Sequence, residues 1–232
     1  MRYKRIAIIA AMESEVAGYK KAFNEYSEQI LAGANVYTGL IGDHDIILMQ
    51  CGVGMVSAAL GCQAIITAFS PDCVINTGSA GALSPELELN DVVVGTKSAQ
   101  WDMNVEGLDW PRGFISSLNG VYADADPELI QLLEDEISAY NRVKKGLIVS
   151  GDTFVASEET RQLILKYFPD ALCTEMEGAA IGHVCVQNKV PYAIVRAISD
   201  SANSDSTMDY AQFAEAAGEK SARMIIEMLT NN

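Results

Sequence analysis

DIILMQCGVGMVSAALGCQAIITAFSPDCVINT, residues 45–77, carries the pattern that decides the fold. The apolar run Asp45–Gln50 leads through a glycine-rich turn into an alanine-rich stretch, which predicts a helix over Met55–Phe69. A second apolar run, Cys73–Thr77, follows. Runs that are apolar throughout, without alternation, are typical of strands covered on both faces of a sheet. The order strand, helix, strand therefore indicates an α/β unit.

The same alternation continues on both sides of this unit, without a repeat or an interdomain linker. Further strands are predicted over Arg5–Ala11, Asn35–Ile41, Asp91–Ser98, Val143–Ser150 and Pro191–Ser199. Further helices are predicted over Ser14–Phe23, Pro127–Tyr140, Glu158–Tyr167, Gly178–Lys189 and Asp209–Leu229. The pattern is that of an α/β sheet covered by helices, and the long irregular stretch 100–126 is a candidate functional loop.

Charge and histidine content exclude several function classes. The 232 residues include 31 Asp and Glu against 16 Lys and Arg, a formal net charge of −15. Nucleic-acid binding needs a basic surface, and an anionic membrane repels an acidic one. The two histidines, His44 and His183, disfavour a Ser/His/Asp triad or a histidine-rich metal site. If the chain is an enzyme, we expect carboxylates to handle the protons.

Cysteine spacing and the N-terminal residues bear on the cellular compartment. The five cysteines lie in apolar stretches with no CxxC spacing, as expected of reduced, buried thiols in a cytoplasmic protein. The first apolar run ends at Glu13, so it is interpreted as a core strand and not as an export signal. No apolar run approaches the ~18 residues of a membrane span.

Two glycine-rich segments follow predicted strands. Gly52-Val53-Gly54 stands where a dinucleotide-binding turn would stand. That interpretation fails because no acidic residue ends the next strand to hold a ribose hydroxyl. Asn76–Gly81 stands at the end of the next predicted strand, where open α/β sheets bind their ligands, although a tight turn alone would also explain it. Its small residues let a ligand approach the backbone, and Ser79 offers a hydroxyl.

Acidic residues stand at three further strand ends. Glu15 follows the first strand, Glu175 and Glu177 flank Met176, and Asp200 follows the strand Pro191–Ser199. Each acid alone is explained by a helix dipole, a solvated loop or a turn cap. Together, three acids from three junctions are expected on one rim of the sheet. A pair of carboxylates is what hydrolysis of a glycosidic bond uses, one as acid and one to activate water.

Six motifs in order resemble the bacterial 5′-methylthioadenosine/S-adenosylhomocysteine nucleosidases of the nucleoside phosphorylase superfamily. The motifs are Ala10–Val16, Gly52–Gly54, Asn76–Gly81, Ser150–Phe154, Glu175–Glu177 and Val195–Asp200. The resemblance covers essentially the whole chain. It implies a single domain over residues 1–232, a three-layer α/β/α fold with a mixed central sheet, a homodimer, and no metal or other cofactor.

The resemblance also implies catalytic roles. Asp200 matches the general acid that protonates N7 of the departing adenine, and the adjacent Ser199 orients it. Glu15 matches the residue that holds and activates the attacking water. Ser79 is expected near that water.

Sugar and base contacts follow in the same way. Glu177 matches the carboxylate that binds the ribose 2′- and 3′-hydroxyls, with Met176 packed on the sugar. Phe154 is expected to stack on adenine, while the backbone of Val155 contacts the edge of the base.

The 5′-alkylthio group is the part of the substrate that the resemblance defines least. Val53 and Tyr210 are expected to line its pocket. In the family a partner chain completes that pocket, and the matching stretch here is Trp101–Asp109, with Val105 and Leu108 as candidates. This stretch departs from the usual family pattern, so the preference among 5′ substituents stays open.

Alternatives within and beyond the superfamily remain. Phosphorylases place an arginine just before the glycine-serine motif, whereas this chain has Asn76 and Thr77 there and only seven arginines. Hydrolysis is therefore favoured over phosphorolysis. A hydrolase of another adenine nucleoside, aminofutalosine or 5′-deoxyadenosine, is the second hypothesis. A non-catalytic nucleoside-binding protein is the third, and it does not explain Glu15, Glu177 and Asp200 together.

Overall fold

Parallel and antiparallel pairings join ten strands into one mixed sheet in the computed structural model, which describes residues 2–203 and 206–231. The strands are β1 (Arg5–Ala10), β2 (Tyr26–Leu31), β3 (Ala34–Ile41), β4 (His44–Gln50), β5 (Cys73–Ala82), β6 (Val92–Gln100), β7 (Tyr122–Asp124), β8 (Val143–Ser150), β9 (Ala171–Glu175) and β10 (Tyr192–Asp200). Met1, Ser204, Asp205 and Asn232 of the predicted domain 1–232 lie outside the described residues.

Six α-helices are found within the described ranges. They are α1 (Glu13–Ala22), α2 (Met55–Phe69), α3 (Pro127–Ser138), α4 (Glu158–Tyr167), α5 (Gly178–Asn188) and α6 (Ser206–Asn231), with a short 3₁₀ helix at Glu106–Leu108. Helices α1 and α6 pack together, as do α2 and α5, and α6 also packs on β5 and β10. None of the described helices is long and apolar enough to cross a membrane.

Strand β5 organises the sheet because it has three neighbours. One edge pairs in parallel with β10, and the other pairs first with β1 and then, at Gly81 and Ala82, with β9. The strands β5, β10, β6, β8 and β9 therefore form a closed ring of pairings. Strands β1, β4, β3 and β2 extend the sheet outward from β5, with β2 at its outer edge. The predicted mixed sheet with covering helices is confirmed.

Several predicted elements occur at the expected residues. Helices α2 and α4 and strand β8 have the predicted bounds. Helix α3 begins as predicted, since the Asp126 carboxylate accepts a hydrogen bond from the Leu129 amide at 2.9 Å and Pro127 occupies the first turn.

Two predictions about strands were wrong. The strand predicted over Cys73–Thr77 does not end there, because β5 continues through Asn76–Gly81 to Ala82 and pairs with β10 along this length. The small residues thus stand inside a strand, with their backbone held by the ladder. Asp200 is likewise the last residue of β10, one residue beyond the predicted end.

Three strands were missed, among them the three-residue β7, which lies in the stretch 100–126 that was predicted to be irregular. Strand β2 is exposed along its length and shows no apolar alternation, so nothing in its sequence separates it from a loop. Strand β9 is only five residues long and ends at Glu175.

Candidate active site

One pocket collects most of the residues that the sequence nominated. It lies where β5, β9 and β10 end, beside the starts of α1 and α5. The nominated residues that line it are Glu15, Val53, Ser79, Phe154, Val155, Met176, Glu177, Ser199, Asp200 and Tyr210. Val105 and Leu108 do not line it. Leu108 is 70% exposed and Val105 is partly exposed, so both side chains are available to another molecule.

The Glu15 carboxylate is fixed by backbone amides. It is buried in the first turn of α1, where Oε2 accepts hydrogen bonds from the amides of Ala11 at 2.9 Å and Met12 at 3.1 Å. Oε1 accepts a third from the amide of Ser79 at 3.1 Å. Glu15 therefore ties the start of α1 to strand β5 and presents a carboxylate of fixed orientation to the pocket.

The Asp200 carboxylate is buried at the end of β10. Its Oδ2 accepts a hydrogen bond from the Ser199 hydroxyl at 3.0 Å, and its Oδ1 accepts one from the Ala202 amide at 2.9 Å. The turn-capping role considered from the sequence is thus present. Asp200 also lines the pocket, so it has both positions at once.

The Glu177 carboxylate contacts the start of helix α2. Its Oε1 accepts a hydrogen bond from the Gly54 amide at 2.9 Å. Gly54 has φ of 101°, a conformation that favours glycine, and this allows its N–H to face the pocket. Burial raises the pKa of Glu177 to about 7, against the opposing attraction of Arg196.

Arg196 is the charged centre beneath the pocket. It projects from β10 and is 1% exposed. Its Nη2 donates to the Glu175 carboxylate and, at 2.6 Å, to the Asn76 side-chain oxygen. Arg196 and Glu175 both stand within the sequence motifs, but no role was predicted for either of them. The sequence did contain a signal for this pair. Arg196 is the only basic residue in the apolar strand predicted over Pro191–Ser199, and a buried charge requires a partner of opposite charge.

Aromatic and apolar side chains form the mouth of the pocket. The rings of Phe154 and Tyr210 meet edge to face, with centroids 5.2 Å apart. The Tyr210 hydroxyl donates to the Met12 sulfur at 3.0 Å. Val155 is buried behind the exposed Phe154. Such a mouth suits a flat, largely apolar ring system.

Taken together, the arrangement can bind a polar ligand with hydroxyl groups and move a proton. Three buried carboxylates, Glu15, Glu177 and Asp200, reach the same cavity from α1, the β9–α5 junction and β10. Within residues 2–203 and 206–231, no group of three or more His, Cys, Asp or Glu side chains is arranged to hold a metal ion.

Comparison with known proteins gives a consistent result. Residues 5–230 match the family described as the phosphorylase superfamily. The 5′-methylthioadenosine/S-adenosylhomocysteine nucleosidase of Staphylococcus carnosus is 37% identical over 225 residues, which cover 97% of this chain and 98% of the relative.

Solved structures agree with that result. The Neisseria meningitidis 5′-methylthioadenosine/S-adenosylhomocysteine nucleosidase, in complex with methylthio-immucillin-A, superimposes with a TM-score of 0.95 at 35% identity, covering 99% of this chain and 100% of its own. A futalosine hydrolase mutant of Helicobacter pylori gives 0.93 at 28% identity, covering 99% and 100%.

Proposed function

This chain belongs to the 5′-methylthioadenosine/S-adenosylhomocysteine nucleosidases of the phosphorylase superfamily, and we propose that it hydrolyses the N-glycosidic bond of both nucleosides. The products are adenine and the 5′-thio-substituted ribose, which enter methionine salvage and methyl-cycle recycling. The observation that carries this proposal is the convergence of Glu15, Glu177 and Asp200 on one pocket. We assign the reaction to residues 1–232 acting as one domain in the cytoplasm.

Asp200 is the proton donor in this proposal. Adenine leaves more readily when N7 is protonated as the glycosidic bond breaks, and general acid catalysis of this kind contributes about 10²–10⁴-fold. The Ser199 hydroxyl and the Ala202 amide, which hold one oxygen each, fix the direction of the carboxylate. The acid thus meets the base in one orientation.

Glu15 activates the attacking water. Its two oxygens are held by three backbone amides, so the carboxylate cannot turn away from the pocket. Ser79, whose amide is one of these donors, lines the pocket beside it and contributes its hydroxyl to the water site. The water adds to the sugar carbon as an oxocarbenium-like centre develops there.

Glu177 and Phe154 bind the two halves of the nucleoside. Glu177 accepts hydrogen bonds from the ribose hydroxyls, and Met176 packs on the sugar. Phe154 stacks on adenine, and the Val155 backbone contacts the base edge. Phosphate has no evident place, because Arg196, the only arginine or lysine among the described lining residues, is already bonded to Glu175.

The 5′-alkylthio group lies between Val53 and Tyr210, and a second copy of this chain covers it. Exposed apolar side chains support a homodimer: Val56 and Leu60, one turn apart on α2, are 78% and 55% exposed, close in sequence to Val53. Leu108, with Val105 nearby, supplies the apolar surface that the partner pocket requires. We propose that the segment 100–115 of each chain lies near its partner's pocket.

A second candidate function is hydrolysis of another adenine nucleoside, aminofutalosine or 5′-deoxyadenosine. The similarity to the futalosine hydrolase structure of Helicobacter pylori supports it, at a lower identity. Both candidates use the same catalytic carboxylates, so they differ only in the 5′ pocket. Specificity constants over a panel of 5′-substituted adenosines distinguish them.

The decisive experiment measures adenine release from methylthioadenosine by the purified protein in phosphate-free buffer. We expect turnover without phosphate and no stimulation when phosphate is added. Turnover that requires phosphate would identify a phosphorylase instead. No release of adenine from any nucleoside of the panel would favour a binding protein.

A further inference from the structure

Glu175 and Glu177 share a single buried guanidinium, and they share it unequally. The Nη2 atom of Arg196 is hydrogen-bonded to Glu175 Oε2. The same atom lies 3.5 Å from Glu177 Oε2, outside the usual range of a charged hydrogen bond. All three side chains are nearly inaccessible to solvent, so water does not screen either of the two interactions with Arg196.

The Glu175 carboxylate accepts most of its hydrogen bonds from protein donors. Oε1 accepts from the Ser150 hydroxyl, while Oε2 accepts from Arg196 and from the amides of Glu177 at 3.0 Å and Gly178 at 2.7 Å. Three donors fill Oε2 and one occupies Oε1, so this carboxylate keeps at most one acceptor site, on Oε1. Glu175 therefore lines the pocket with its Oε2 closed to substrate.

Glu177 is in the opposite condition. Its Oε1 is occupied by the Gly54 amide. The structure records no hydrogen bond to its Oε2 from the described residues, although the group is buried. An unfilled acceptor on a buried carboxylate is costly unless a ligand fills it.

We propose that Glu175 is a positioning residue that holds the Arg196 guanidinium off Glu177 Oε2 and so keeps this oxygen free for the hydroxyls of a nucleoside sugar. The inference rests on the proposed function, in which Glu177 binds ribose. If the charge on Glu175 is removed, Glu177 becomes the stronger partner for Arg196. The guanidinium then has to move only a fraction of an ångström to close the 3.5 Å gap and occupy the oxygen.

The surroundings of Glu175 allow a substitution that removes little except its charge. In Glu175→Gln the amide oxygen keeps the bonds from Arg196 and the two backbone amides. The amide nitrogen faces Ser150, whose hydroxyl already accepts from the Ala179 amide at 2.7 Å and has a second lone pair for the new donor. Rotation of the Ser150 hydroxyl thus keeps this contact, with the donor and the acceptor exchanged.

The test compares two ligands of the wild-type and Glu175→Gln enzymes. For methylthioadenosine, which carries the sugar, we expect KM to rise about ten- to hundredfold, since hydrogen bonds to a charged group are lost. For adenine, which has no sugar, we expect the inhibition constant to change by less than about threefold. A merely structural role would weaken both ligands together.

Ser150→Ala is the matched control, because it removes one hydrogen bond from Glu175 and leaves every charge in place. We expect it to lower the melting temperature while changing the ratio of the two constants by less than about threefold. Thermal unfolding of both variants checks that they fold.

The outcomes are distinct. Suppose that the wild-type enzyme is active. If Glu175→Gln then has an unchanged KM, or loses affinity equally for adenine and methylthioadenosine, the role of Glu175 is overturned and the proposed function stands. A wild-type enzyme that releases no adenine would overturn the proposed function itself. A selective loss for the sugar-bearing ligand in Glu175→Gln, absent in Ser150→Ala, supports the proposal.

Discussion

The carboxylate of Asp200 lies directly against the Cα of Gly81. A methyl group at this position would stand 2.6 Å from Asp200 Oδ1 and 3.0 Å from the Ala202 side chain. Because Asp200 is buried and held from both oxygens, it has no space to retreat. We expect Gly81→Ala to displace the acid and lower kcat about hundredfold, as misplacement by an ångström does.

The matched control for this prediction is Gly120→Ala, where the added methyl group meets only an atom at 3.9 Å. Steady-state kinetics of the two variants separates a local clash from a general effect of alanine. Equal kcat values in both would show that Asp200 is not constrained by Gly81.

The role of Asp200 as proton donor is tested by Asp200→Asn. The amide keeps an oxygen for the Ala202 amide and is nearly isosteric, so the fold is retained. We expect kcat to fall about 10²–10⁴-fold, because the transferable proton is lost. Single-turnover measurement of adenine formation checks this, and intact turnover would exclude the proposed mechanism.

Glu177 predicts a specific dependence on pH. Burial raises its pKa to about 7, and the groups that face it are Arg196, which lowers the pKa, and Glu175 and Glu15, which raise it. The sugar hydroxyls need an ionised acceptor, so KM for methylthioadenosine should rise as pH falls below about 7. Glu177→Gln should remove this acid limb and raise KM at all pH values.

The same pKa sets the sign of a stability effect. Since the folded-state pKa lies above the ordinary value of 4.5, the folded protein binds the proton more tightly than the unfolded chain. The contribution of Glu177 to the free energy of unfolding therefore falls as pH rises from about 4.5 to about 7. We therefore compare the melting temperature of Glu177→Gln with that of wild type at each pH. The variant should gain more over wild type at pH 8 than at pH 5, and a larger gain at pH 5 would contradict the raised pKa of Glu177.

Helix α2 is capped by a residue from another loop. Its N-cap is Gly54, its first turn carries no acid, and the Met55 amide donates at 2.7 Å to the carboxylate of Asp152. We expect Asp152→Ala to reduce the free energy of unfolding by about 1 kcal/mol. KM should rise a few-fold, because the neighbouring Gly54 amide holds Glu177. Denaturant titration and kinetics measure the two effects, and Asp152→Asn, which keeps the acceptor, should recover most of both.

The proposed homodimer predicts that one charge on α2 separates the copies. We expect Leu60→Glu to weaken self-association by at least about tenfold in sedimentation experiments, since burying an unpaired charge is costly. Turnover of methylthioadenosine should fall with it. Ile30→Glu is the control, because Ile30 is similarly exposed, at 66%, but lies on β2 at the far edge of the sheet. A monomeric wild-type protein would contradict the dimer.

The sequence predicts the strongly patterned elements well. Helix α2 is rich in alanine and other apolar residues and the second half of strand β8 is buried, and both elements occur at the predicted residues. Strand β2 was missed because its residues are exposed and its order comes from pairing with β3, which no local pattern records. The extension of β5 through Gly81 was missed for a related reason: β10 and β9 supply its partners from distant parts of the chain.

The sequence predicted which residues line the pocket, but it did not predict which of their side chains bond to one another. Glu15, Glu177 and Asp200 were nominated because each follows an apolar stretch, and the structure brings them to one cavity. The pairing of Arg196 with Glu175 was not predictable, because which of two neighbouring acids takes a buried guanidinium depends on distances of an ångström. The capping of α2 by Asp152 spans 97 residues and left no local signal.

The closed ring of strand pairings divides the pocket into two parts with different freedom to evolve. Asp200 and Ser79 belong to strands of the ring, so a change of backbone there would disturb the hydrogen-bonded framework of the whole protein. Val53 and Tyr210, which are assigned to the 5′ group, stand on a turn and a helix outside the ring. Natural variation can therefore exchange the 5′ substituent that is accepted, while Asp200 and the Ser79 amide that holds Glu15 are inherited intact. A family with this architecture is expected to diversify in substrates long before it diversifies in reaction.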